Sequence, residues 1–83
     1  MLEVLFFARI REQLGVDRLA IPLAEPMTVA DLLQQLVDEH GKNWADILLA
    51  KNVVKAVNQQ VIKADHVLTD GDEVAFFPPV TGG

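Results

Sequence analysis

Thr28–Gly41 reads TVADLLQQLVDEHG. Thr28 is a good helix N-cap, and Asp31, three positions on, completes a capping-box-like start. Val29, Leu32, Leu33, Leu36, Val37 and His40 recur at the i, i+3, i+4, i+7 spacing of one helix face. Gly41 is the expected stop. A helix with one apolar stripe needs a surface to bury it on, and the flanking segments supply that surface.

Upstream, Leu2 to Ile10 is rich in Val, Phe and Ile and reads as a strand. Alternation puts Leu2, Val4, Phe6, Ala8 and Ile10 on one face and Glu3, Leu5, Phe7 and Arg9 on the other. Arg11 to Asp17, with Gly15, suits a hairpin loop. Arg18 to Leu23 reads as a second strand, and Pro22 within it points to a sheet edge, because proline cannot donate to a central ladder. Downstream, Asn43 to Leu49 reads as a short second helix capped by Asn43, with Trp44, Ile47 and Leu48 buried. Val53 to Val57 is a third strand, and Asn58-Gln59-Gln60 turns into a short one at Val61 and Ile62. Ala64 to Leu68 crosses over as irregular or single-turn structure. Asp70-Gly71 makes a tight turn before the last strand, Glu73 to Phe77. The order β-β-α-β-β-β predicts an α+β fold in which the main helix packs across one face of a mixed sheet.

At 83 residues the chain is one domain. A domain of this size buries only about 60% of its unfolded surface, so the 51% of hydrophobic residues is needed for its core. The sequence has no cysteine, which excludes disulfides and thiolate metal sites. A net charge of −5 argues against nucleic acid and anionic membrane as partners and permits a partner with a basic docking surface. The N-terminal run MLEVLFFARI carries Glu3 where a signal peptide needs positive charge. No apolar run approaches the ~20 residues of a membrane span, and no hydrophobic tail for a lipid anchor follows the terminal small residues. A soluble, cytoplasmic protein is expected.

The C-terminus carries the chemistry. Phe76–Gly83 reads FFPPVTGG. Pro78 and Pro79 end the strand and hold the chain extended. Val80 and Thr81 favour extended geometry as well, and Gly82 and Gly83 have no side chains. The expected product is a stalk ending in a thread thin enough for a narrow active site. Its one reactive group is the α-carboxylate of Gly83, a poor electrophile until an enzyme converts it to an acyl-adenylate. Sulfur can then displace AMP and leave a thiocarboxylate, a soft nucleophile, and glycine keeps the approach to the carboxyl open.

A second feature lies on the sheet. If the helix covers Val4, Phe6, Val74 and Phe76, then Leu5, Phe7 and Phe77 point away from it, and adjacent first and last strands gather them into a patch. Val61 joins it from a neighbouring strand. Clustered aromatic residues beside the tail suit protein docking. Other polar residues offer less. His40 and His66 have no ligand spacing, and Asp70, Asp72 and Glu73 lack that of a calcium loop. No Ser-His-Asp set, phosphate loop or metal motif is present, so no metal site and no catalytic activity of the chain by itself are expected.

VLFFARIRE at the start, AVNQ in the middle and LTDGDEVAFFPPVTGG at the end resemble the small-subunit family of molybdopterin synthase, within the ubiquitin-like sulfur carriers. The resemblance implies a β-grasp fold over residues 1–77, with the first and last strands side by side mid-sheet, and a flexible C-terminal tail at 78–83. It implies that Gly83 is adenylated by a ubiquitin-activating-like enzyme using ATP and magnesium, converted to a thiocarboxylate by a sulfur donor system, and inserted into a large catalytic subunit. There it supplies sulfur for the dithiolene of molybdopterin, in a heterotetramer of two small and two large subunits. The small chain itself would bind no cofactor. Phe7, Val61 and Phe77 match the family's apolar docking surface, with Val61 standing where a leucine is expected. A carrier for thiazole or tRNA thiolation, an isopeptide-forming modifier and a plain interaction domain are the alternatives. Loss of Gly83 would spare only the last.

Overall fold

The computed structural model describes residues 1–78. The expected tail residues Pro79, Val80, Thr81, Gly82 and Gly83 lie outside them. The chain runs β1 (Leu2–Phe6), α1 (Ala8–Leu14), β2 (Arg18–Ile21), β3 (Met27–Thr28), α2 (Val29–His40), α3 (Lys42–Leu48), β4 (Val54–Val57), β5 (Gln60–Ile62), β6 (Val67–Leu68) and β7 (Glu73–Phe77). Five strands form one mixed sheet in the order β2-β1-β7-β4-β5. β1 and β7 run parallel, with Val4 opposite Val74 and Phe6 opposite Phe76, and the other pairings are antiparallel. This is the β-grasp arrangement, with β2 at an edge as expected; the strand ends at Ile21, however, so Pro22, expected within it, lies just past its end.

The helix that anchors the sequence reading forms as expected. Thr28 Oγ1 accepts from the Asp31 N–H, and Asp31 Oδ2 accepts from the Thr28 N–H, both at 3.1 Å. Val29, Leu32, Leu33 and Leu36 are buried against Leu2, Val4, Phe6, Val74 and Phe76 of the sheet. Val37 is half-buried, and His40 is exposed but stacks on the buried Trp44 at 3.7 Å. Trp44 in turn meets the Phe6 ring edge-on at 5.5 Å. Gly41, at φ +91°, is the N-cap of α3 in place of the expected Asn43. It turns the chain between two helices at an angle that L side chains rarely adopt.

Two further expectations fail. The strand predicted to Ile10 ends at Phe6, and the segment expected to be hairpin loop is mostly the helix α1. Ala8 at φ +52° makes the turn. ARIREQL is then built from good helix formers, with Ile10 buried and Leu14 packed on the core one turn on. Gly15 ends it at φ +74°, its N–H donating to the Arg11 carbonyl at 2.9 Å. Second, the crossover at Ala64–Leu68 is not irregular throughout. β6 pairs with β3, Met27 opposite Leu68, because fully buried Leu68 needs its backbone groups satisfied under the end of α2.

Candidate functional site

Side chains alternate across a strand, so burying Val4, Phe6, Val74 and Phe76 under the helices turns Leu5, Phe7, Ala75 and Phe77 to the opposite face. The parallel register sets Leu5 beside Ala75. The ladder continues one residue past β1: the Phe7 N–H donates to the Phe76 carbonyl at 3.1 Å. That bond holds Phe7 next to Phe77, and their rings stack at 4.6 Å with planes 4° apart. The antiparallel registers add Ala56, opposite Ala75, and Val61, opposite Ala56.

The result is a shallow groove of about 370 Å³. Ala56 and Ala75 form its floor, and Leu5, Phe7, Val61 and Phe77 its walls. Phe7 is 36% and Val61 62% exposed, far more than residues of the core. Gln59 and Glu73 bring polar groups to the end remote from Phe77. On the same face, beyond Leu5, Arg18 pairs with Glu3 at 3.0 Å. Among the described residues that line it there is no Ser, Thr, Cys, Lys or His, and Glu73 is its one ionisable side chain. Its walls are mainly apolar, and Phe77 at its end leads directly into Pro78.

All four residues expected at a partner interface, Leu5, Phe7, Val61 and Phe77, come together here. Pro78 is half-buried and lies on the helix side with Arg9, Ile10 and Ile47. Gly83, Gly82, Thr81, Val80 and Pro79 lie outside the described residues. Ala56 and Gln59 were not singled out in the sequence. Their place depends on the β4–β5 register, which the short Asn58-Gln59 loop specifies.

The titrating groups with shifted behaviour lie elsewhere. The Ala30 N–H, and then that of His66, hold the Asp65 carboxyl below its ordinary range. The Asn58 side chain, and then the Thr69 N–H, do the same for Asp72. Both carboxylates cap a helix or a turn. Among the described residues no three His, Asp or Glu side chains converge as a metal site, and no helix is long and apolar enough to cross a membrane.

Comparison with known proteins places this geometry. The ThiS family model matches residues 4–83. The molybdopterin synthase sulfur carrier subunit of Escherichia coli is 47% identical over 83 residues, all of both chains. Among solved structures, SAMP1, the small archaeal modifier protein 1 of Haloferax volcanii, superposes with a TM-score of 0.77 at 28% identity, over 99% of this chain and 98% of that one. A chain from the complex of subunits 1 and 2 of the molybdopterin-converting factor of Helicobacter pylori gives a TM-score of 0.66 at 28% identity, covering 99% and 97%.

Proposed function

Because the chain belongs to the ThiS family and, within it, to the molybdopterin synthase sulfur carrier subunits, we propose that Gly83 is its working group. An activating enzyme transfers AMP from ATP, with magnesium, to the Gly83 carboxylate and releases pyrophosphate. Hydrosulfide from a sulfur donor displaces AMP and leaves the thiocarboxylate. Inside the large subunit the thiocarboxylate sulfur bonds to a carbon of the pterin precursor as the carbon–oxygen bond there breaks and its oxygen group leaves, and water then cleaves the acyl–sulfur bond, restoring the Gly83 carboxylate and leaving the sulfur on the pterin. Each charged carrier delivers one sulfur, so two such transfers give the dithiolene of molybdopterin. This chain contributes the sulfur and the docking surface, and the large subunit contributes catalysis. A cytoplasmic site of action is part of the same reading.

One observation carries the proposal: the full-length match runs to the terminal glycine, and the groove at the root of that terminus presents stacked aromatic rings. Leu5, Phe7, Val61 and Phe77 dock the large subunit and the activating enzyme, and Pro78 to Gly82 carry Gly83 to the reaction. The structural likeness to a small archaeal modifier supports a second reading, in which a lysine amine takes the place of sulfide at the adenylate.

The test is the intact mass of protein purified from its own host under non-reducing conditions, with fragmentation of the C-terminal peptide. The expected result is one oxygen replaced by sulfur at Gly83. An unmodified terminus that persists after incubation with ATP, activating enzyme and sulfide would overturn the proposal. An isopeptide at Gly83 would establish the second reading.

A further inference from the structure

Asn58 and Gln59 form the two-residue loop between β4 and β5, with Val57 opposite Gln60. Both have positive φ, +50° and +69°. This is the loop geometry that strongly favours Asn or Asp followed by Gly. Asn58 fits that pattern, and both its side-chain nitrogen and oxygen are bonded. Its amide N–H donates to Asp72 Oδ1 and its oxygen accepts from the Glu73 N–H, both at 3.0 Å. Gln59 does not fit. It occupies the glycine position, in a backbone conformation that any residue with a Cβ adopts at a cost. It makes no side-chain hydrogen bond among the described residues, is exposed, and lines the groove beside Val61 and Glu73. Strain without a local return points to a use outside the fold.

We infer that Gln59 is a specificity-determining contact: its primary amide donates to and accepts from a backbone peptide group of the large subunit lying across the groove. The inference rests on the docking role proposed for that groove. Apolar contacts on Phe7, Phe77 and Val61 are non-directional, so they hold a partner without fixing its register. A primary amide has both a donor and an acceptor and suits an unpaired peptide N–H and C=O. Its position matters too. Gln59 lies near Glu73, and β7 separates Glu73 from Phe77 by about 13 Å. Contacts at both ends of that span orient the docked chain, and with it the direction in which Pro78 leaves.

The test is calorimetric binding of the full-length chain to the large subunit from the same host, with thermal melts of each variant. Gln59→Gly should raise Tm by about 3–6 °C by relieving the turn. Gln59→Ala should leave Tm close to wild type. Both should raise Kd about three- to tenfold. Weaker binding in Gln59→Ala, which keeps the Cβ and the Tm, separates loss of the amide from any loosening of the turn by glycine. Phe77→Asp serves as the control for the groove. If Phe77→Asp weakens binding while both Gln59 variants bind like wild type, the role of Gln59 is overturned and the groove stands. If folded Phe77→Asp also binds like wild type, the docking reading falls and the inference with it. A lower Tm in Gln59→Gly would overturn the strain on which the inference is built.

Discussion

Ala8 sits at φ +52° between the last ladder bond of Phe7 and the first turn of α1. Alanine tolerates this backbone at some strain, whereas a β-branched residue there is a severe outlier. Ala8→Val should therefore lower stability by about 1–2 kcal/mol, seen as a fall in Tm of about 5–10 °C. The consequence should reach the groove, because the same turn holds the Phe7 ring against Phe77. Ala8→Val should bind the large subunit more weakly even at temperatures where it is fully folded. A normal melt for this variant would show that the turn is not strained. A normal affinity would show that Phe7 is placed by its ladder bond alone.

Among the elements, α2 was the most legible in the sequence, since its cap, stripe and stop lie within fourteen consecutive letters, Thr28 to Gly41. Its third cap was not legible. Asp65 Oδ1 accepts from the Ala30 N–H at 3.0 Å, and that contact exists only because β6 returns beside β3. α1 was hidden for another reason. Ile10 continues the alternation of Leu2, Val4 and Phe6, so strand and helix give it the same buried side, and the positive φ at Ala8 that divides them leaves no mark on alanine. The groove was half legible. Alternation placed Leu5, Phe7 and Phe77, while Ala56 and Gln59 awaited the register of β4 and β5. The Asp65 cap carries a prediction about pH. The Ala30 hydrogen bond depresses its folded pKa, so the unfolded chain takes up its proton first as pH falls. The stabilisation is therefore complete well above the ordinary carboxylate value of about 3.9 and is lost as pH drops through the lower folded value. Asp72 acts in the same sense. Melts from neutral pH to about pH 2.5 should show Tm falling below about pH 4, with a shallower fall in Asp65→Asn. Parallel curves for the two proteins would remove Asp65 from the acid transition.

At the scale of the whole molecule, adjacent phenylalanines divide two tasks. Phe76 is fully buried and stacks on Phe6 at 5.7 Å. Phe77, one position on, stacks on Phe7 at the open face. Because β1 and β7 come from opposite ends of the chain, the Phe6–Phe76 contact closes nearly the whole polypeptide. A domain of 83 residues has a total stability of only about 4–12 kcal/mol. Removing a buried phenylalanine costs about 3–5 kcal/mol, so Phe76→Ala should leave a protein near the edge of folding, with a low and broad melt. Phe77→Ala removes a half-buried ring on the other face and should retain most of the Tm, yet bind the large subunit at least about tenfold more weakly, as loss of an aromatic anchor does. Gly82→Ala completes the series. In sequence it follows Phe76, the last core residue among those described, by six positions. It should leave Tm nearly unchanged while slowing thiocarboxylate formation, because a methyl group beside the terminal residue obstructs the activating enzyme. Melts, calorimetry and a mass-spectrometric time course on the three variants would separate fold, docking and chemistry. Equal rates of thiocarboxylate formation in Gly82→Ala and wild type would show that the narrow terminus is not what the activating enzyme requires.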